Sequence, residues 1–142
     1  MKDLKCLADL LDKLLVIQQK LLDLENIKTG VLLKGDADEL DAIVKLEQPL
    51  IMSCENIEKQ RDCLQEKMGL KGVALKQIIS DHQGFEGNRL QIQYDLLSEI
   101  TDEIKTINNT NKQILNSQLN IVNHILHASG ITQDEVITYK KR

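Results

Sequence analysis

A run of leucine and isoleucine at heptad spacing fills the first quarter of the chain. Leu7, Leu10, Leu14, Ile17, Leu21, Leu24 and Val31 recur at alternating steps of three and four, and Lys28 is the one interruption. That spacing lines one face of an α-helix, whereas the faces of a strand repeat every two residues. Leu11, Leu15 and Leu22 widen the stripe beyond the seam of a two-stranded coiled coil. A helix from Asp3 to Lys34 is therefore predicted, a rod on the order of 45 Å long.

The remainder of the chain carries the same bias. Its 142 residues are one domain by length, and 42% of them are hydrophobic, enough for a substantial core. Only Phe85, Tyr94 and Tyr139 are aromatic, there is no Trp, and Pro49 is the single proline. The interior must then be leucine and isoleucine, in the composition of long helices. The expected fold class is all-α, an elongated antiparallel helical hairpin with a long C-terminal helix, a short extra helix and a mobile C-terminal tail.

Punctuation in the sequence sets the element boundaries. Lys34-Gly35-Asp36 combines a glycine suited to ending a helix with an aspartate suited to capping the next, and Glu39 follows three residues later as in a capping box. So short a connection sends the second helix, about 37–68, back antiparallel to the first. Its series is Leu40, Ile43, Leu50, Cys54, Ile57, Leu64 and Met68, interrupted by Glu47 and Arg61. Pro49 falls within it and predicts a kink or a short break, since it lacks a backbone N–H and crowds the preceding turn. A short helix at 73–80 and a loop with Gly84 and Gly87 precede the last helix, about 88–128. The inner series of that helix is Leu97, Ile100, Ile104, Ile107, Asn111, Ile114, Gln118, Ile121 and Ile125, so two amides stand among its apolar positions. An amide in such a place can fix register or partner choice, or can mark loose packing. Residues 129–142 form the tail, ending in a basic Lys140-Lys141-Arg142.

Several function classes find little support. The net charge is −4 with acids and bases intermixed, which argues against a nucleic-acid footprint. The N-terminal twenty residues are broken by Asp3, Lys5, Asp9, Asp12 and Lys13, unlike a signal peptide or a membrane span, and a cytoplasmic protein is expected. Cys6, Cys54 and Cys63 lack metal or redox spacing and read as small fillers of helix faces. His124 and His127 have no thiol or carboxylate close by in sequence to complete a metal shell, and Asp36 with Asp38 suits helix capping better than calcium. No nucleotide, hydrolase or metalloprotease motif occurs, so neither an enzyme nor a cofactor is expected.

A second feature points to binding. From Gln113 to Gln133 there is no Asp, Glu, Lys or Arg, although 28% of the chain is charged. Ile114, Leu115, Leu119, Ile121, Val122, Ile125 and Leu126 fill that stretch among neutral Asn, Gln, Ser and His, over an arc of roughly 160° where a helix packed on one side shows about 100°. Charge depletion of this kind marks a contact surface. Leu115, Leu119, Val122 and Leu126, at i, i+4, i+7 and i+11, are the ridge expected to meet a partner helix, unless they pack on the first helix or across a homodimer.

The order of these signals resembles the FlgN-like flagellar export chaperones. The likeness runs from about Leu4 to Tyr139: the long heptad helix, VLLKGDADELDAIVKLEQPLI across the tight turn, GLKGVALKQII, NKQILNSQLNIVNHILHASG and a tail containing TY. It implies a cytosolic chaperone that binds the C-terminal helical region of hook-associated proteins, keeps them from assembling early and delivers them to the export apparatus. It also implies a client site in the last helix, at Asn111, Leu115, Gln118, Leu119, Val122 and Leu126, and docking of the tail at the export gate through Tyr139 of the Thr138-Tyr139 pair. Two other readings remain open: a self-associating coiled-coil scaffold without a client, and an export chaperone for the filament or its cap.

Overall fold

The structure, a computed structural model, describes residues 2–130. Four helices occur in the order α1 (Lys2–Lys34), α2 (Ala37–Lys67), α3 (Leu75–Asp81) and α4 (Phe85–Ala128), with no strand among the described residues. The expected mobile tail lies outside them.

The hairpin forms as its punctuation predicts. Gly35 takes φ +72°, in the left-handed region that glycine occupies without a Cβ penalty, and its N–H reaches back to the Val31 and Leu32 carbonyls. Asp36 caps α2 by accepting the Glu39 N–H at 3.0 Å. The reciprocal arm of a capping box is replaced by a loose ion pair, with Glu39 3.9 Å from Lys34.

α1 is the central element. It packs against both α2 and α4, while α3 packs on α4. Its buried residues are Leu4, Leu7, Ala8, Leu11, Leu14, Leu22, Glu25, Val31 and Leu32. The buried face is therefore centred on the Leu4, Leu11 and Glu25 side of the expected series, and Leu10, Ile17, Leu21 and Leu24 are half-buried at its edge. A helix flanked by two neighbours needs such a wide stripe. Leu7, Leu11, Ile78 of α3 and Leu90 of α4 are fully buried, and each contributes about 1.5–3 kcal/mol by leaving water. The core is concentrated at the end of the rod that holds the start of α1, the end of α2 and α3, where Ile57, Leu64, Met68 and Leu70 join it. Gln65 closes the loop there by donating to the Leu70 and Val73 carbonyls, 3.1 Å each.

Three boundaries differ from expectation. α2 continues without a break through Pro49. Pro49 is on the exposed face, so the carbonyl that loses its helical partner is open to water. α3 starts two residues later than expected, because Gly72 at φ +74° and the extended Ala74 carry the chain as a loop to Leu75. α4 starts at Phe85 rather than near Asn88, which places Gly87 in its first turn. A Cβ on Gly87 would stand 1.8 Å from the His82 carbonyl oxygen, so the bare glycine is what lets α4 fold back on α3. Cys54 is half-buried and its thiol is pushed up by burial and by Glu58 and Glu55, as suits a filler, but Cys6 and Cys63 are exposed and fill nothing.

Candidate functional site

Side-chain bonds to the backbone of α1 fix how α4 lies along it. Gln93 donates to the Ala8 carbonyl at 2.7 Å, Asn111 to the Glu25 carbonyl at 3.1 Å, and Gln118 to the Leu32 carbonyl. Partner numbers rise together, with separations of 85, 86 and 86, so α4 runs parallel to α1 in one register. Carried forward, the offset sets the hairpin turn beside Asn120 and Ile121. The remaining residues of α4, through Ala128, run past the end of the hairpin by on the order of 10 Å.

Two stripes of α4 show what this overhang does. Asn111, Gln118 and Ile125 are seven apart and share one stripe: Asn111 is 4% exposed, Gln118 is bonded to α1, and Ile125 is 59% exposed. Ile107, Ile114 and Ile121 form the neighbouring stripe, half-buried at the first two and 60% exposed at the last. In both cases the face turned toward α1 goes bare once α1 has ended. Leu115 is exposed as well, and so is Leu33 at 69%, one turn beyond the Thr29 that meets Asn111. Leu119, Val122 and Leu126 are half-buried.

Below the overhang the helices are tied by polar groups. The Lys28 ammonium lies 3.0 Å from Glu25 and 2.6 Å from Glu47 of α2. Asn111 donates to Glu25 Oε2 at 2.9 Å and accepts from the Thr29 hydroxyl at 2.6 Å. Burial pushes the Glu25 carboxyl up, but hydrogen bonds from Lys28 and Asn111 outweigh it and hold the group below its usual range. For Glu47 burial, with the Glu25 charge, prevails over Lys28 and leaves its carboxyl raised. Burial opposes the charge on Lys28 too, yet the two carboxylates raise it.

From residue 113 to 130 no charged side chain is present, and among the described residues no three His, Cys, Asp or Glu side chains are grouped to hold a metal. No helix among the described residues is long and apolar enough to cross a membrane. Among the described residues nothing covers this neutral apolar face of distal α4 at Ile121 and Ile125.

The family model described as FlgN protein matches residues 1–142. This chain belongs to the FlgN family. Its members are flagellar export chaperones, a chaperone family and not an enzyme family. The FlgN chain is also similar to an uncharacterised Bacillus subtilis (strain 168) protein, YvyG, with 26% identity over 122 residues, 83% of this chain and 75% of the relative. No solved structure matches.

On this FlgN fold the six positions expected to bind, apart from the tail, divide. Asn111 and Gln118 turn inward to α1, where they set the register of α4. Their amides are spent on Glu25 and Leu32 within the fold, and Asn111 is buried. Leu115 is open, Leu119, Val122 and Leu126 are partly so, and Tyr139 lies outside the described residues. Sequence reasoning missed that Ile121, Ile125 and Leu33 are the most exposed apolar residues near the overhang. The signal was available for the isoleucines, which continue the inner series past the length of α1. It also missed the Glu25, Lys28 and Glu47 grouping, although Lys28, Glu47 and Asn111 were the interruptions of three separate series and meet in one place.

Proposed function

We propose that this flagellar export chaperone serves hook-associated proteins, holding the C-terminal helical region of such a client against the distal part of α4. Bound there, the client segment cannot join a growing junction, and the chaperone carries it to the export apparatus, where the tail around Thr138 and Tyr139 docks. The observation that carries the reading is the exposure of Ile121 and Ile125 on stripes that are covered earlier along the same helix. A client segment that is disordered when free and folds on that surface spends several kcal/mol on ordering, so its affinity is moderate and release is possible.

The test is titration calorimetry of the full chain with the C-terminal segment of a hook-associated protein. Binding is expected, and expected to vanish in Ile121→Asp/Ile125→Asp while far-UV helicity is retained. Unchanged affinity in that variant overturns the site. Tighter binding of filament or cap protein than of junction protein moves the client assignment, and a stable dimer indifferent to all of them favours the scaffold.

A further inference from the structure

The bare arc of α4 is neutral along its length but not at its base. The hairpin turn beside Asn120 and Ile121 carries Asp36, Asp38, Glu39 and Asp41, all exposed. Glu39 is answered loosely by Lys34 at 3.9 Å and Asp41 by Lys45 at 3.0 Å. Asp36 and Asp38 have no ion-pair partner among the described residues, although one oxygen of Asp36 caps α2. An excess of negative charge therefore sits at the base of the overhang, whose residues beyond Ile121 carry no charge of either sign through residue 130.

Resting on the reading that a helical client segment seats on distal α4, we infer that the segment it accepts is an amphipathic helix with one basic end. Its apolar side chains, at steps of three and four, cover Ile121 and Ile125, and its Lys or Arg side chains overlie the hairpin turn opposite Asp36 and Asp38. The apolar arc supplies affinity but tells the two directions of a bound helix poorly apart. Charge at only one end breaks that symmetry, since a basic end is attracted there and an acidic end repelled. Direction and partner choice thus come from the hairpin, while burial comes from α4.

Two synthetic helical peptides with the same leucine face test this, one ending in three lysines and the other in three glutamates, titrated against the full chain by fluorescence anisotropy. The lysine-ended peptide is expected to bind about tenfold more tightly at low salt, with the advantage shrinking at high salt. Asp36→Asn/Asp38→Asn is expected to erase the difference, and it keeps a good capping residue at position 36. Ile121→Asp/Ile125→Asp is expected to abolish binding of both. Equal affinities for the two peptides, both lost in the isoleucine variant, overturn the basic end and leave the client site standing. Absence of binding, or binding indifferent to the isoleucines, overturns both. A dimer in sedimentation that Ile121→Asp disrupts makes a second copy the occupant and also overturns the inference.

Discussion

Lys28 of α1 holds its ammonium 2.6 Å from the Glu47 carboxylate of α2, with both side chains largely out of water. The same ammonium answers Glu25, so one cation serves two carboxylates at the place where α1, α2 and α4 meet. Lys28→Met removes that cation and leaves two acids facing each other, at a cost on the order of 3 kcal/mol at neutral pH. The pH dependence identifies the cause. In the native chain Glu25 is held low, so its contribution is present above the ordinary carboxylate range and is lost as pH falls. Glu47 is raised and acts in the opposite sense, losing its contribution as pH rises through its folded value. Without Lys28 both carboxyls are raised, and the variant is expected to regain stability on acidification toward the carboxylate range. Urea unfolding of both proteins across pH 4 to 7 checks this, and parallel pH profiles would refute it.

Asn111→Leu tests the amide that sets the α4 register. The leucine fits an apolar position but leaves Glu25 Oε2 and the Thr29 hydroxyl without the Asn111 partner. A loss of about 1–3 kcal/mol in urea unfolding is expected, since buried polar groups are left unmet. No loss would mean that water or Lys28 replaces the amide freely.

Gly87→Ala places a methyl group 1.8 Å from the His82 carbonyl oxygen, a backbone atom that cannot swing away. The expected cost is about 2 kcal/mol, with faster amide exchange in α3, because the α3 to α4 contact must open to admit the methyl. An unchanged midpoint would show that this junction is loose.

Core and overhang should separate sharply in stability. Leu11→Ala empties a fully buried site and is expected to cost about 3 kcal/mol. Ile125→Ser, at 59% exposed, is expected to change stability by less than about 0.5 kcal/mol while weakening client binding. A large stability loss at Ile125 would show that position to be core, and the surface proposed for clients would be lost with it.

The elements were largely legible in the sequence. Heptad spacing specified α1 and α2, and Gly35 with Asp36 specified the turn between them, because local periodicity and capping are chemistry of near neighbours. The start of α4 was not legible, since Gly87 reads as a loop residue until the His82 carbonyl is placed against it. Of the kink or short break expected at Pro49, the break does not occur: whether a lost backbone hydrogen bond stops a helix depends on which face it is on, and Pro49 faces water. The candidate surface was half legible. Absence of charge after Gln113 located it, but the most exposed apolar residues are Ile121 and Ile125 rather than the whole Leu115 to Leu126 ridge.

By itself the sequence determined that the chain is helical, that the first two helices fold back on each other, and that the end of the last helix carries no charge. These follow from spacings within one helix or one turn. Only the tertiary structure decided that α4 lies parallel to α1 with its last turns beyond the hairpin, and that Lys28, Glu47 and Asn111 come together beneath them. Register between helices is set by contacts some 85 residues apart, and no local pattern encodes where one rod ends alongside another.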